Sequence, residues 1–164
     1  MTPRPPFIRH TSELPSSIGK YSHSEEGFSN GTPLSRPLGL SRIGVHHERL
    51  EPGHRTSLPH AESLEEELIY VLEGTPDAWV NGELHRLAPG DVVVFPPGTG
   101  IAHTFINDTD TDVRLLVVGD NLEANRIDYP LDPDRMAVVP PVQRWADVPK
   151  HPLGPHDGKP KRRA

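Results

Sequence analysis

Between Gly39 and Gly119 the chain is built from short apolar runs cut by turn residues. LSRIGVHHERL alternates loosely between apolar and polar positions, as a half-buried strand does, and EPGHR turns out of it. TSLPHAE then reads as a strand, SLEE as a turn, ELIYVLEG as a strand and Thr75-Pro76-Asp77 as another turn. In AWVNGELHRL, Asn81-Gly82 sits between two alternating runs; both residues tolerate positive φ, so the segment predicts a two-residue hairpin. Ala88-Pro89-Gly90-Asp91 turns into VVVF, and Pro96-Pro97-Gly98 turns out of it. IAHTFIND and VRLLVVG are the last two strands, joined by a turn over Thr109–Asp112. About eight strands at this spacing predict an all-β sandwich or barrel.

The flanks have a different texture. Residues 1–37 are rich in Pro, Ser, Gly and charge without a sustained period, and read as an extended arm with a short strand at Phe7–His10. Phe7, Ile8, Leu14, Ile18, Tyr21 and Phe28 give this arm apolar surface to dock on the barrel or on a partner subunit. Beyond Gly119 the chain is polar and repeatedly broken by Pro, with a short helix expected at Leu122–Arg126 and coil over Asp147–Pro155. The expected organisation is an N-terminal arm (1–37), one barrel domain (38–120) and a Pro-rich C-terminal extension (121–164), with no internal repeat.

Composition narrows the function classes. A hydrophobic fraction of 34% and 20 Pro fit one compact core with extended segments attached. The net charge of −6 argues against a nucleic-acid surface, and the basic stretch Lys159-Pro160-Lys161-Arg162-Arg163 reads as a solvated end. No Cys is present, so thiolate ligands, disulfides and a Cys nucleophile are excluded. No apolar run approaches the ~20 residues that span a bilayer, and MTPRPPFIRH has no signal-peptide core, so a cytoplasmic protein is expected.

The candidate chemistry lies in HAESLEEELIYVLEG and PPGTGIAHTFIND. His60 and Glu62 are two apart and leave one face of a strand. Glu67 opens an apolar run, where a carboxylate is costly to bury unless paired or metal-bound. His103 lies in a second apolar strand. Imidazoles and carboxylates from two hairpins are the raw material of a divalent-metal site. The competing readings are histidines satisfied within the barrel, and a Glu62 facing the turn and solvent. Glu65 and Glu66 read as a solvated turn, and Tyr70, Trp79 and Phe105 as core or pocket-wall aromatics. Of the adjacent His46 and His47, at most one faces the interior.

These residues resemble the two motifs of the cupin superfamily. Gly53, six residues, His60-x-Glu62, four residues, Glu67, six residues and Gly74 follow the first. Gly90, five residues, Pro96-x-Gly98, four residues, His103, three residues and Asn107 follow the second. The chain departs from the pattern in two places: Glu62 replaces the second His of the first motif, and the loop before His103 is longer. The resemblance implies a double-stranded β-helix (a jelly-roll barrel) with Pro-rich arms outside it. It also implies a divalent ion (Zn, Mn, Fe or Ni) held by His60, Glu62, Glu67 and His103. Family members include dioxygenases, decarboxylases and isomerases acting on small organic substrates. Here Glu62 or Glu67, whichever is not a ligand, would be the candidate base. A non-catalytic module binding a small ligand is the alternative. Cupin barrels commonly pair, so a homodimer is expected, with no nucleic-acid or membrane partner.

Overall fold

A computed structural model describes residues 3–21, 24 and 26–161. The alternating runs fold into antiparallel strands. In chain order these are β1 (Ser17–Ile18), β2 (Asn30–Pro33), β3 (Ile43–Leu50), β4 (Ala61–Glu62), β5 (Glu67–Glu73) and β6 (Asp77–Val80). Then come β7 (Glu83–Arg86), β8 (Val92–Phe95), β9 (His103–Ile106), β10 (Val113–Asp120) and β11 (Ile127–Asp128). One sheet has the order β1-β2-β3-β10-β5-β8, a second has β7-β6-β9, and β11 pairs with β4. The all-β reading of the sequence holds.

Period-two burial explains the core. On β5, Ile69 and Val71 are buried while Leu68, Tyr70 and Leu72 stay exposed. Ile69 and Val71 meet Leu50, Ala78, Phe95, Phe105, Val113 and Leu115 between the two large sheets. Each of the larger side chains here contributes roughly 1.5–3 kcal/mol by leaving water. A one-residue slip would turn β5's inward set outward, so burial fixes the register. It also fixes Glu67 as an inward position, two residues before Ile69. Tyr70, expected in the core or a pocket wall, is instead on the outer face because it is out of phase with that set.

The β6–β7 hairpin forms at Asn81-Gly82, with Val80 opposite Glu83 and positive φ at both turn residues (46° and 93°), as a primed turn requires. The C-terminal segment packs over this hairpin. Gly154 and His156 donate backbone N–H groups to the carbonyls of Asn81 and Gly82. The fully buried Trp79 donates its Nε1–H to the His156 carbonyl at 2.8 Å. Arg55, also fully buried, donates Nη1–H to Gly158 and pairs with Glu26 at 2.5 Å. Trp145 and Val148 join Trp79, Ala61, Ala102 and Ile106 in a second core cluster.

The N-terminal segment divides in two. β2 pairs with β3, and Phe28 is buried with Leu58, Tyr129 and Val139, with Tyr21 packed alongside. Phe7, Ile8 and Ile18 remain exposed. The strand expected at Phe7–His10 is absent: Pro5 and Pro6 precede it, and the Ile8 N–H closes a turn onto the Pro5 carbonyl.

Three further expectations need correction. TSLPHAE contributes only β4 and isolated bridges at Arg55 and His60, because Pro59 cannot donate to a ladder. Asp77, read as turn, starts β6. Leu122–Arg126 is a turn rather than a helix, because Glu65 and Asn125 bond across to the chain: Glu65 accepts the Leu122 N–H, and Asn125 accepts the Leu64 N–H. The α-helix among the described residues is α1 (Pro133–Val138), where Asp132 caps the Arg135 N–H and Pro133 sits in the first turn. Of the basic end, Lys159 lies 3.6 Å from Glu26, and Arg162 and Arg163 fall outside the described residues.

Candidate metal centre

Three of the four expected ligands converge at one end of the barrel. The potential ligand atoms of His60, Glu67 and His103 all lie within 4.8 Å of one another. β9 carries His103, and a reciprocal backbone pair with it holds His60: His60 N–H donates to the His103 carbonyl at 3.2 Å, and His103 N–H to the His60 carbonyl at 2.9 Å. The rings end up 4.9 Å apart between centroids. The inward phase of β5 brings Glu67 alongside, with Oε2 at 2.7 Å from His103 Nε2. Phe95 of β8 stacks on the His103 ring at 3.6 Å with planes 6° apart, which fixes its orientation.

Hydrogen bonding prepares these groups to ligate. His60 Nδ1 lies 2.9 Å from the Leu58 carbonyl, which only accepts, so Nδ1 carries the proton and Nε2 keeps its lone pair. His103 Nδ1 likewise faces the Ile101 carbonyl at 3.3 Å. Burial, reinforced by the charge of His103, lowers His60 to about 4, so its ring is neutral at physiological pH. Burial pushes Glu67 upward, but the hydrogen bond and charge of His103, with smaller contributions from His60 and His46, outweigh it and hold the carboxylate below its ordinary range. A neutral His60 and an ionised Glu67 are the forms in which those two groups ligate a divalent ion. The 2.7 Å contact between His103 and Glu67 needs a proton between them, and a cation can take that proton's place. The residues fit a metal.

Glu62 stands outside this trio. The chain leaves its bridge to β9 after His60 and pairs with β11 instead, Glu62 lying opposite Ile127. The Glu62 side chain bonds to Glu65 and Asn125. Burial, with the charges of Glu65 and Glu67, pushes its carboxyl up to about 8.

Two adjoining spaces border the trio. An inner cavity of about 150 Å³ is lined by His60, Glu67 and His103 together with His46, Glu48 and Phe105 among others. It shares His46, Glu67 and Val117 with an outer vestibule of about 390 Å³, whose walls include Glu62, Glu65, Glu66, Asp120 and Arg36. Glu65 and Glu66, expected in a solvated turn, thus border the entrance. His46 is the inward member of the His46/His47 pair. Glu48 was not singled out from the sequence; the available signal was its position two residues before the buried Leu50 on an alternating strand.

Comparison with known proteins agrees with this geometry. The family profile described as Cupin domain matches residues 46–119. The crystal structure of a sugar phosphate isomerase of the cupin superfamily from Silicibacter pomeroyi is 30% identical, covering 73% of this chain and 79% of that one, with a TM-score of 0.69. A provisionally named sugar phosphate isomerase from Acidithiobacillus ferrooxidans is 27% identical over 76% of this chain and 81% of its own, with a TM-score of 0.70. The polyketide cyclase RemF from Streptomyces resistomycificus shares the fold at 24% identity and a TM-score of 0.58, covering 73% of this chain and 80% of that one. No curated protein matches the chain at a significant level. The chain belongs to the cupin superfamily. No helix among the described residues is long and apolar enough to cross a membrane.

Proposed function

We propose that this cupin binds one divalent metal ion through His60, Glu67 and His103 and isomerises a small polyhydroxylated carbonyl compound. The observation that carries the reading is the trio itself: three convergent donor side chains bordering an inner cavity beside the vestibule. The likeness to structures named as sugar phosphate isomerases supports the choice of reaction class. When bound, the ion would supply Lewis-acid polarisation of a carbonyl oxygen. The protein's own contribution is orientation and proton handling. Phe95 and the Leu58 and Ile101 carbonyls hold the two rings. Glu62, at the cavity mouth and outside the trio, is positioned to move a proton between adjacent substrate carbons.

Isomerisation through proton transfer exchanges the migrating hydrogen with solvent. Metal-loaded protein incubated with D-ribose or D-ribose 5-phosphate in D₂O should place deuterium at C1 of the ketose product and at C2 of re-formed aldose, followed by NMR, and Glu62→Gln should slow this at least 100-fold while metal content is retained. No exchange with either compound, in protein shown to be loaded, would remove the isomerase reading.

We also propose that two copies pair through the outer face of the larger sheet. There Leu68 stands opposite Val94 and Tyr70 opposite Val92, all exposed, and β8 is the free edge strand.

A further inference from the structure

The inner cavity contains a carboxylate that metal binding does not use. Glu48, on β3, is 9% exposed. Its Oε1 lies 3.6 Å from His46 Nδ1, and its Oε2 is buried with no hydrogen-bond partner among the described residues. The fold makes room for it. Gly31 on β2 is the Cα partner of Glu48, and a Cβ there would lie 2.9 Å from Oε1 and 3.1 Å from Oε2. A buried acceptor without a donor is costly. Glu48 lines the inner cavity, the space in which a ligand hydroxyl can approach its carboxylate.

The approach to that cavity has a definite charge. Glu65, Glu66, Glu67 and Asp120 bring acidic groups to the vestibule, against Arg36 and His46, while Glu62 beside them stays protonated up to about 8. Arg36 is already engaged, its Nη2–H donating to Asn121 Oδ1 at 2.6 Å. Two of these acidic groups are held by backbone amides: Glu65 Oε1 accepts the Leu122 N–H at 2.6 Å, and Asp120 Oδ2 accepts the Glu66 N–H at 3.4 Å. A phosphate dianion entering here meets like charge at close quarters, whereas an uncharged polyol does not.

We propose that the site selects an uncharged, hydroxyl-rich carbonyl compound, a free sugar in preference to a sugar phosphate, with Glu48 accepting hydrogen bonds from its hydroxyl groups. This rests on the isomerase reading and specifies its substrate class. The inner cavity has the volume of about five waters at ~30 Å³ each, room for the reacting end of a small sugar, with the rest lying in the vestibule.

The test is calorimetric titration of the metal-replete, full-length protein with D-ribose and with D-ribose 5-phosphate. Ribose is expected to bind at least tenfold more tightly. Glu48→Gln should weaken ribose at least tenfold with metal content unchanged. Gly31→Ala, which keeps Glu48 but crowds its carboxylate, should weaken ribose in the same direction and guards against a folding defect in the first variant. Glu66→Arg, an exposed change on the vestibule wall, should narrow the preference severalfold at low salt. Equal or tighter binding of the phosphate would overturn the substrate class and leave the isomerase reading standing if deuterium exchange is seen. Ribose affinity unchanged in both Glu48→Gln and Gly31→Ala would overturn the role of Glu48. Binding of neither compound, with no exchange, would overturn both readings.

Discussion

Phe95 links the packing of the barrel to its candidate metal centre, and Phe95→Ala separates the two roles. The ring is buried, stacks on His103 at 3.6 Å and meets Phe105 edge-on at 6.4 Å. Truncating a core Phe to Ala costs about 3–5 kcal/mol, the spread reflecting how well the site can collapse. β8 is an edge strand and can settle inward, so the lower end, about 3 kcal/mol, is expected. At roughly 2–4 °C per kcal/mol for a chain of this size, the melting temperature should fall by about 6–12 °C. Phe95→Leu keeps most of the volume but loses the stack, for about 1 kcal/mol. Both variants free the His103 ring, and metal affinity should drop about tenfold, as it does when a support behind a ligand is removed. Urea unfolding, read as a midpoint change at constant slope, gives the first quantity. Competition with a metal-sensitive dye gives the second. If stability falls as expected while metal affinity is unchanged in both variants, the ring is core filling and the orientation argument is wrong.

Glu62 gives a pH prediction. Its carboxyl is held protonated to about 8 by burial and its acidic neighbours, whereas in the unfolded chain it ionises near 4.5. Between those values the folded state binds more protons, so this group makes the metal-free protein less stable as pH rises; Glu62→Gln should flatten that decline in a melting-temperature series from pH 5 to 8. Gly82→Ala should destabilise by at least about 1 kcal/mol, since a Cβ there meets the Gly154 backbone and φ is 93°, and thermal melts together with faster proteolysis near residue 154 would report it. Leu68→Lys with Val94→Lys should convert a dimer to a monomer in light scattering without changing metal content; a wild type that is monomeric would remove the pairing proposal.

The strands were legible where alternation was strict. ELIYVLEG and VRLLVVG announced their inward sets, and Asn81-Gly82 announced its turn, because each depends on chemistry within a few residues. The convergence of His60, Glu67 and His103 was legible through spacing, since an inward strand position with a metal-binding side chain leaves a polar residue in an apolar run. Glu62 satisfied the same spacing rule yet points elsewhere, because its strand changes partner from β9 to β11 right after His60. Strand exchange is a tertiary event with no local mark. Glu48 was hidden for the same reason: the space for its carboxylate is made by Gly31, on a strand seventeen positions earlier that pairs with β3 only in the fold. Asp132-Pro133 did carry a helix-start signal, which the surrounding prolines obscured.

The central claim, that His60, Glu67 and His103 form a metal site and Glu62 does not, is tested by elemental analysis of purified protein after supplementation. Wild type and Glu62→Ala should each carry close to one divalent ion per chain, and His60→Ala, Glu67→Ala and His103→Ala should carry almost none. Metal-free wild type, or loss of the ion from Glu62→Ala with retention in Glu67→Ala, would contradict it.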